Sequence, residues 1–165
     1  MAARHVLIAA AVLAIGCAQM IPVTPPPPRV SDTIDSGDDQ FRASQRLVLE
    51  GLDADERADA ARAHSRYERA LQIDASNPWV YLALARHYVE QGDPGRALAH
   101  LDRAEALLDA LDPPSPGARA HCEGLRGAAL ALEGNESEAR PLLEAAAQAA
   151  PDIWGDGVLT AAELH

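Results

Sequence analysis

Several side chains in this sequence could do chemistry. Cys17 follows an apolar run, and its thiol could accept an acyl chain. Asp152, Asp156 and Glu163 put three carboxylates within twelve residues, and oxygen ligands are what a hard cation needs. His64, His87, His100 and His121 could bind metal or move protons, but they are scattered, with no HExxH or paired-His motif. A nucleophile elbow, a P-loop and a Rossmann fingerprint are also missing from the sequence. Trp79 and Arg86 are of the types that most often anchor interfaces between proteins. The inventory points to a binding module without a cofactor rather than to an enzyme.

The elements that must position these residues are helices. Tyr81, Leu84, Ala85 and Tyr88 share one stripe at 3.6 residues per turn. Gly92-Asp93-Pro94-Gly95 breaks that helix, and Ala97, Leu101 and Ala104 form a second stripe. Such a helical hairpin cannot bury its apolar side alone. Copies of it stand nearby. Moving 34 residues back from the second stripe gives Ala63, Tyr67 and Ala70; moving 42 forward gives Ala139, Leu143 and Ala146. Gly127, Leu130 and Gly134 match Ala85, Tyr88 and Gly92, and Leu47 and Gly51 lead the first copy.

This pattern resembles the tetratricopeptide repeat (TPR), whose period is 34 residues. The resemblance covers residues 42–153 and runs through Pro151. It implies an all-α fold, an α-solenoid of about three TPR hairpins, with repeats at about 44–77, 78–111 and 120–153 inside a 41–153 domain. Residues 154–165 are then expected to cap the last repeat, with Leu159, Ala162 and Leu164 covering its edge. The first helix is expected over 41–52, with Asp53-Ala54-Asp55 ending it and capping the next; Pro141 is expected in the first turn of the last helix. The broken stretch 112–117 accounts for the eight extra residues in the 42-residue step.

Composition agrees. Of 165 residues, 48% are hydrophobic but 4% aromatic, which suits close-packed Ala- and Leu-rich helices better than a β-sandwich. The net charge is −11 and every Lys/Arg position is Arg, so phosphate backbones are repelled and no nucleic-acid partner is expected. At the other extreme of the chain, residues 6–15 are apolar but too short for a span of about 20 residues. They read as a signal peptide over 1–16. Leu13-Ala14-Ile15-Gly16-Cys17 resembles the lipobox of bacterial lipoproteins. That resemblance implies lipidation of Cys17, anchoring in the cell envelope, and, with Ala18 after the Cys, an outer-membrane location facing the periplasm. Residues 17–40, with four consecutive prolines, read as a stiff tether that turns polar and disordered over 31–39.

The repeat family binds protein or peptide partners on the concave surface lined by each repeat's first helix. The matching positions are Trp79, Leu82, Arg86, Val89 and Glu90 in the middle repeat and His121 in the last, where Gly124 and Ala128 are small and leave room for a partner. A scaffold or assembly factor is the role this implies. The competing local reading has Arg86 paired with Glu90. Residues 152–163 also resemble a twelve-residue EF-hand loop, with Asp152, Asp156, Gly157 and Glu163 in place but Trp154 where a ligand belongs. That gives a second reading, a calcium-responsive accessory protein. Cys122 is expected to be a small buried residue.

Overall fold

The structure, a computed structural model, describes residues 27–111 and 115–165. The expected signal peptide, Cys17 and residues 112–114 lie outside the described residues. Six helices form three antiparallel hairpins: α1 (Asp39–Glu56) with α2 (Ala60–Ile73), α3 (Pro78–Glu90) with α4 (Pro94–Asp109), and α5 (Pro116–Leu132) with α6 (Glu136–Ala149). Two single turns follow, α7 (Pro151–Trp154) and α8 (Ala161–Leu164). Among the described residues there is no strand, and no helix is long and apolar enough to cross a membrane.

Each hairpin is closed by one small residue facing one large one, sixteen positions apart. A Cβ at Gly51 would overlap the Tyr67 ring, and one at Gly127 would lie 2.8 Å from Leu143 Cγ. Ala85 and Leu101, at the same spacing, are both buried. The small member lets the two backbones approach; the large one fills the space above it. Ala63, Ala70, Ala97, Ala104, Ala139 and Ala146 complete the seam, all fully buried.

The turns repeat as well. Gly92 and Gly134 take the left-handed conformation at φ 70° and 82°, and Ala58 stands at the equivalent place with φ 58°. A Cβ costs free energy there, so Ala58 carries strain that its glycine counterparts avoid. Asp59 and Asp93 cap α2 and α4 by accepting from the Arg62 and Arg96 amides, both at 3.1 Å. Asn77 caps α3, whose first residue is Pro78, by accepting from the Trp79 amide at 3.0 Å.

Three local expectations are corrected. Helix α1 does not end near Leu52; it continues through Asp55, which is a buried acid rather than a cap. Pro141 lies inside α6, because that helix already begins at Glu136. The tether does not extend to residue 40. Val30 is completely buried, Ser31–Thr33 form a 3₁₀ turn, and α1 starts at Asp39 with Asp38 as its cap. The prolines read as spacer therefore give way, from Pro27 onward, to a segment docked on the body.

Candidate functional site

Helices α1, α3 and α5 pack side by side and form one face of the stack. The expected groove residues lie on it, but the structure buries most of them. Trp79, Leu82, Arg86 and His121 are at most 4% exposed, so the expectation of an open Trp–Arg strip is wrong. Val89 is half-buried and Glu90 exposed. Thirty-four residues upstream, the matching residues Gln45, Val48, Leu52 and Asp55 are buried too. Helix α3 is apolar on nearly every side and is covered on nearly every side.

What covers the face is two segments of the same chain, one around Val30 and the other after Gly157. Helix α8 lies on α1 and α3. Leu159, Ala161 and Leu164 are buried there, while Ala162 is exposed, so the inward side of the tail is one residue out from expectation. The N-terminal segment runs alongside. The Val30 amide donates to the Leu164 carbonyl at 2.9 Å, and the Ser31 amide to the His165 carbonyl at 3.0 Å. Gln45 Nε2 holds the Val30 carbonyl from α1 at 3.4 Å. On α5, a Cβ at Gly124 would overlap the Trp154 indole, and one at Gly117 would overlap Pro27 and Pro28. The space that small residues leave for a partner is thus filled by this chain's side chains. The tail is more than an end cap: α7 packs on α6, and the chain then crosses the face to the first repeat.

A buried polar network joins the first two repeats under this cover. The Asp55 carboxylate accepts from the Tyr67 hydroxyl at 2.9 Å and from the Arg86 guanidinium, and lies 2.9 Å from His87 Nδ1. Burial alone would raise the Asp55 pKa; the His87 hydrogen bond and the Arg86 charge outweigh it and hold it below the usual value. Burial and the Asp55 charge raise the Tyr67 pKa. Arg86 also donates to Glu90 at 3.0 Å, the pairing of the competing local reading, though from a buried guanidinium. The histidines are less scattered in space than in sequence. His64 and His87 lie 6.0 Å apart, and His100 stacks on Tyr88 at 5.3 Å. Among the described residues, no group of three or more His, Cys, Asp or Glu could hold a metal ion.

At the α5 end the polar groups fare worse. Burial pushes the His121 pKa down to about 4, with the Pro28 backbone and Glu163 opposing weakly. Neither ring nitrogen makes a full hydrogen bond, and the Trp154 Nε1 nearby has no partner either. Cys122 is buried, and its thiol is pushed up to about 12 by that burial, as suits a packing residue.

The EF-hand resemblance is corrected by geometry. Asp152 sits in α7, whose Trp154 is packed inside the protein. Asp156 accepts from the Val158 amide at 3.0 Å, and Glu163 closes a capping box with Thr160 at the start of α8. Each carboxylate serves its local turn or faces away, and the three do not converge.

Between the tail and the solenoid a cavity of about 460 Å³ remains. Arg86, Val89, Glu90, Leu125 and Ala128 wall one side, and residues 157–162 the other. Such a volume is in the range of ligand pockets.

Stacked helical hairpins with a small–large seam define an α-solenoid of the protein-interaction kind. The model of the tetratricopeptide repeat family matches residues 56–129, so the chain carries tetratricopeptide repeats over that stretch. It is also similar to the cellulose synthase operon protein C of Pseudomonas fluorescens (strain SBW25), with 36% identity over 66 residues, covering 40% of this chain. The likeness spans 5% of that protein's length. No solved structure matches the chain significantly. Repeats of this kind serve protein–protein interaction.

Proposed function

We propose that the chain is a non-catalytic adaptor or assembly factor, lipid-anchored in a bacterial envelope, whose repeat array binds a protein or peptide partner. The observation that carries this reading is the face of α1, α3 and α5, which buries the short helix α8 and the turn around Val30 side by side. A surface that accepts two such segments from its own chain has the shape and chemistry to accept them from another. Val89 and Glu90, at the open rim of the cavity, are the groove residues a partner reaches first.

The anchor rests on Gly16-Cys17 after the apolar run. The docked segment starts at Pro27, ten residues beyond Cys17, so such an anchor would hold the body close to the membrane. An outer-membrane address facing the periplasm rests on Ala18 alone. Cys17→Ser should release the protein from membrane fractions and abolish fatty-acid labelling; unchanged fractionation and labelling would remove the anchor from this account. For partner binding, the full chain should copurify a specific envelope protein, and Val89→Asp with Glu90→Arg should lose it while helicity stays intact. Retention by the double variant would move the site off this face.

A further inference from the structure

We infer that the covered face is a receptor for a short apolar helix of the tail's own pattern, and that residues 159–165 occupy it as an exchangeable internal ligand. This deepens the proposed function and rests on it for the existence of an outside partner. The partner chemistry is a segment with Leu or a larger apolar residue at the positions of Leu159, Ala161, Ala162 and Leu164, and an acid that caps its own helix as Glu163 does.

The attachment of the tail has the form of a bound peptide. Its grip consists of three buried apolar side chains, two backbone hydrogen bonds to Val30 and Ser31, and a contact of His165 Nε2 with the Asp53 carboxylate at 3.3 Å. Each of these can be made equally well by a separate chain. The capping box of Thr160 and Glu163 is complete within α8, so the helix brings its own start. The hinge is in place too. Gly157 has φ 78° and stands in open space, while Trp154 is locked over Gly124. Helix α8 can therefore leave without pulling α7 off the last repeat.

The internal ligand also fits its site poorly. The cavity of about 460 Å³ lies directly between α8 and the solenoid, lined on the tail side by nothing larger than Leu159. Asp55, Glu56, Arg86 and Glu90 line this space beside Val89, Leu125 and Ala128, and it opens to solvent at its rim, so a bulkier occupant would gain apolar contacts there that the tail does not make. Among the described residues, the buried side-chain polar atoms without partners are on Arg86, His121 and Trp154, all at this face or the segments docked on it. Native interiors rarely leave such groups unpaired. The tail holds its place through its tether, which supplies an effective concentration in the millimolar range.

A fluorescent peptide with the sequence of residues 157–165 tests this on the full chain. It should bind Leu159→Ala/Leu164→Ala, in which the tail grips weakly, at least tenfold more tightly than wild type. The same peptide carrying Ala162→Leu should bind that variant about tenfold more tightly than the native peptide, because the added carbons enter the cavity. If the double variant loses helicity, Thr160→Ala/Glu163→Ala removes the capping box without touching the face and should give the same order. Equal binding to wild type and variant, or none to a folded variant, overturns the inference. Peptide binding as expected with no envelope protein retained would instead count against the proposed function and leave this inference standing.

Discussion

The hairpin seam and the helix face of the same solenoid are built by different rules. The seam pairs Gly51 with Tyr67 and Gly127 with Leu143 inside each hairpin, and the Tyr67 hydroxyl is engaged by the Asp55 carboxylate. The face is closed by segments from the two ends of the described chain. It leaves a cavity and unpaired nitrogens on His121 and Trp154. Packing that repeats locally is complete; packing that depends on returning ends is not. The seam therefore carries the stability and the face carries the capacity to exchange.

Asp55→Ala should be the most damaging single change. It leaves the Arg86 guanidinium buried with only Glu90 to pair, and removing one partner of a buried ion pair costs about 3–5 kcal/mol. Chemical denaturation measures it. A loss under 1 kcal/mol would mean the network is not what ties the first two repeats.

The face should reveal itself through pH. The His121 pKa is lowered in the folded state to about 4, so folding favours its neutral form. Its contribution is fully present above the unfolded value near 6.5 and is lost as pH falls from about 6.5 to about 4, roughly 3 kcal/mol over the window. His100 on α4 is lowered in the same direction by its burial, so it adds to the fall within the same window. His121→Leu should flatten the stability curve more than His100→Leu does, and the reverse order would place the sensitivity in the hairpin instead of the face.

The same substitution placed in both regions sharpens the contrast. Gly51→Val drives a side chain into Tyr67, which is fixed on both sides, and should cost roughly 3 kcal/mol. Gly117→Val meets Pro27 and Pro28, which belong to the docked N-terminal segment and can move aside, and should cost about 1 kcal/mol. Equal costs would erase the distinction. The smallest effect is a gain: Ala58→Gly relieves a left-handed alanine in the first turn and should add about 0.5–1 kcal/mol to the unfolding free energy measured by chemical denaturation.

How much of this the sequence showed follows the same division. The three hairpins, their turns at Gly92 and Gly134 and the small–large seam were legible, because their signals lie within one period of one another. The start of α1 at Asp39 and the burial of Asp55 were not, since an acid at a helix end reads as a cap until a distant Arg86 and His87 are seen to meet it. The face was the hardest part. Family positions named Trp79, Leu82, Arg86 and His121, but nothing local shows that Val30 and Leu164, 134 residues apart, bond across them. One trace was available: the residues sixteen positions on from Gly117 and Gly124 are the charged Glu133 and Arg140 rather than an apolar partner, which asks for a filler from outside the hairpin.

The central claim is that this chain covers its own repeat face, and amide hydrogen exchange on Val30 and Ser31 tests it most directly. Both amides donate to tail carbonyls and lie outside the six long helices. In the full chain they should be protected. After truncation beyond Gly157 they should exchange freely while the seam amides of α2, α4 and α6 keep their protection. Free exchange of Val30 and Ser31 in the full chain, or protection that survives the truncation, would contradict the account.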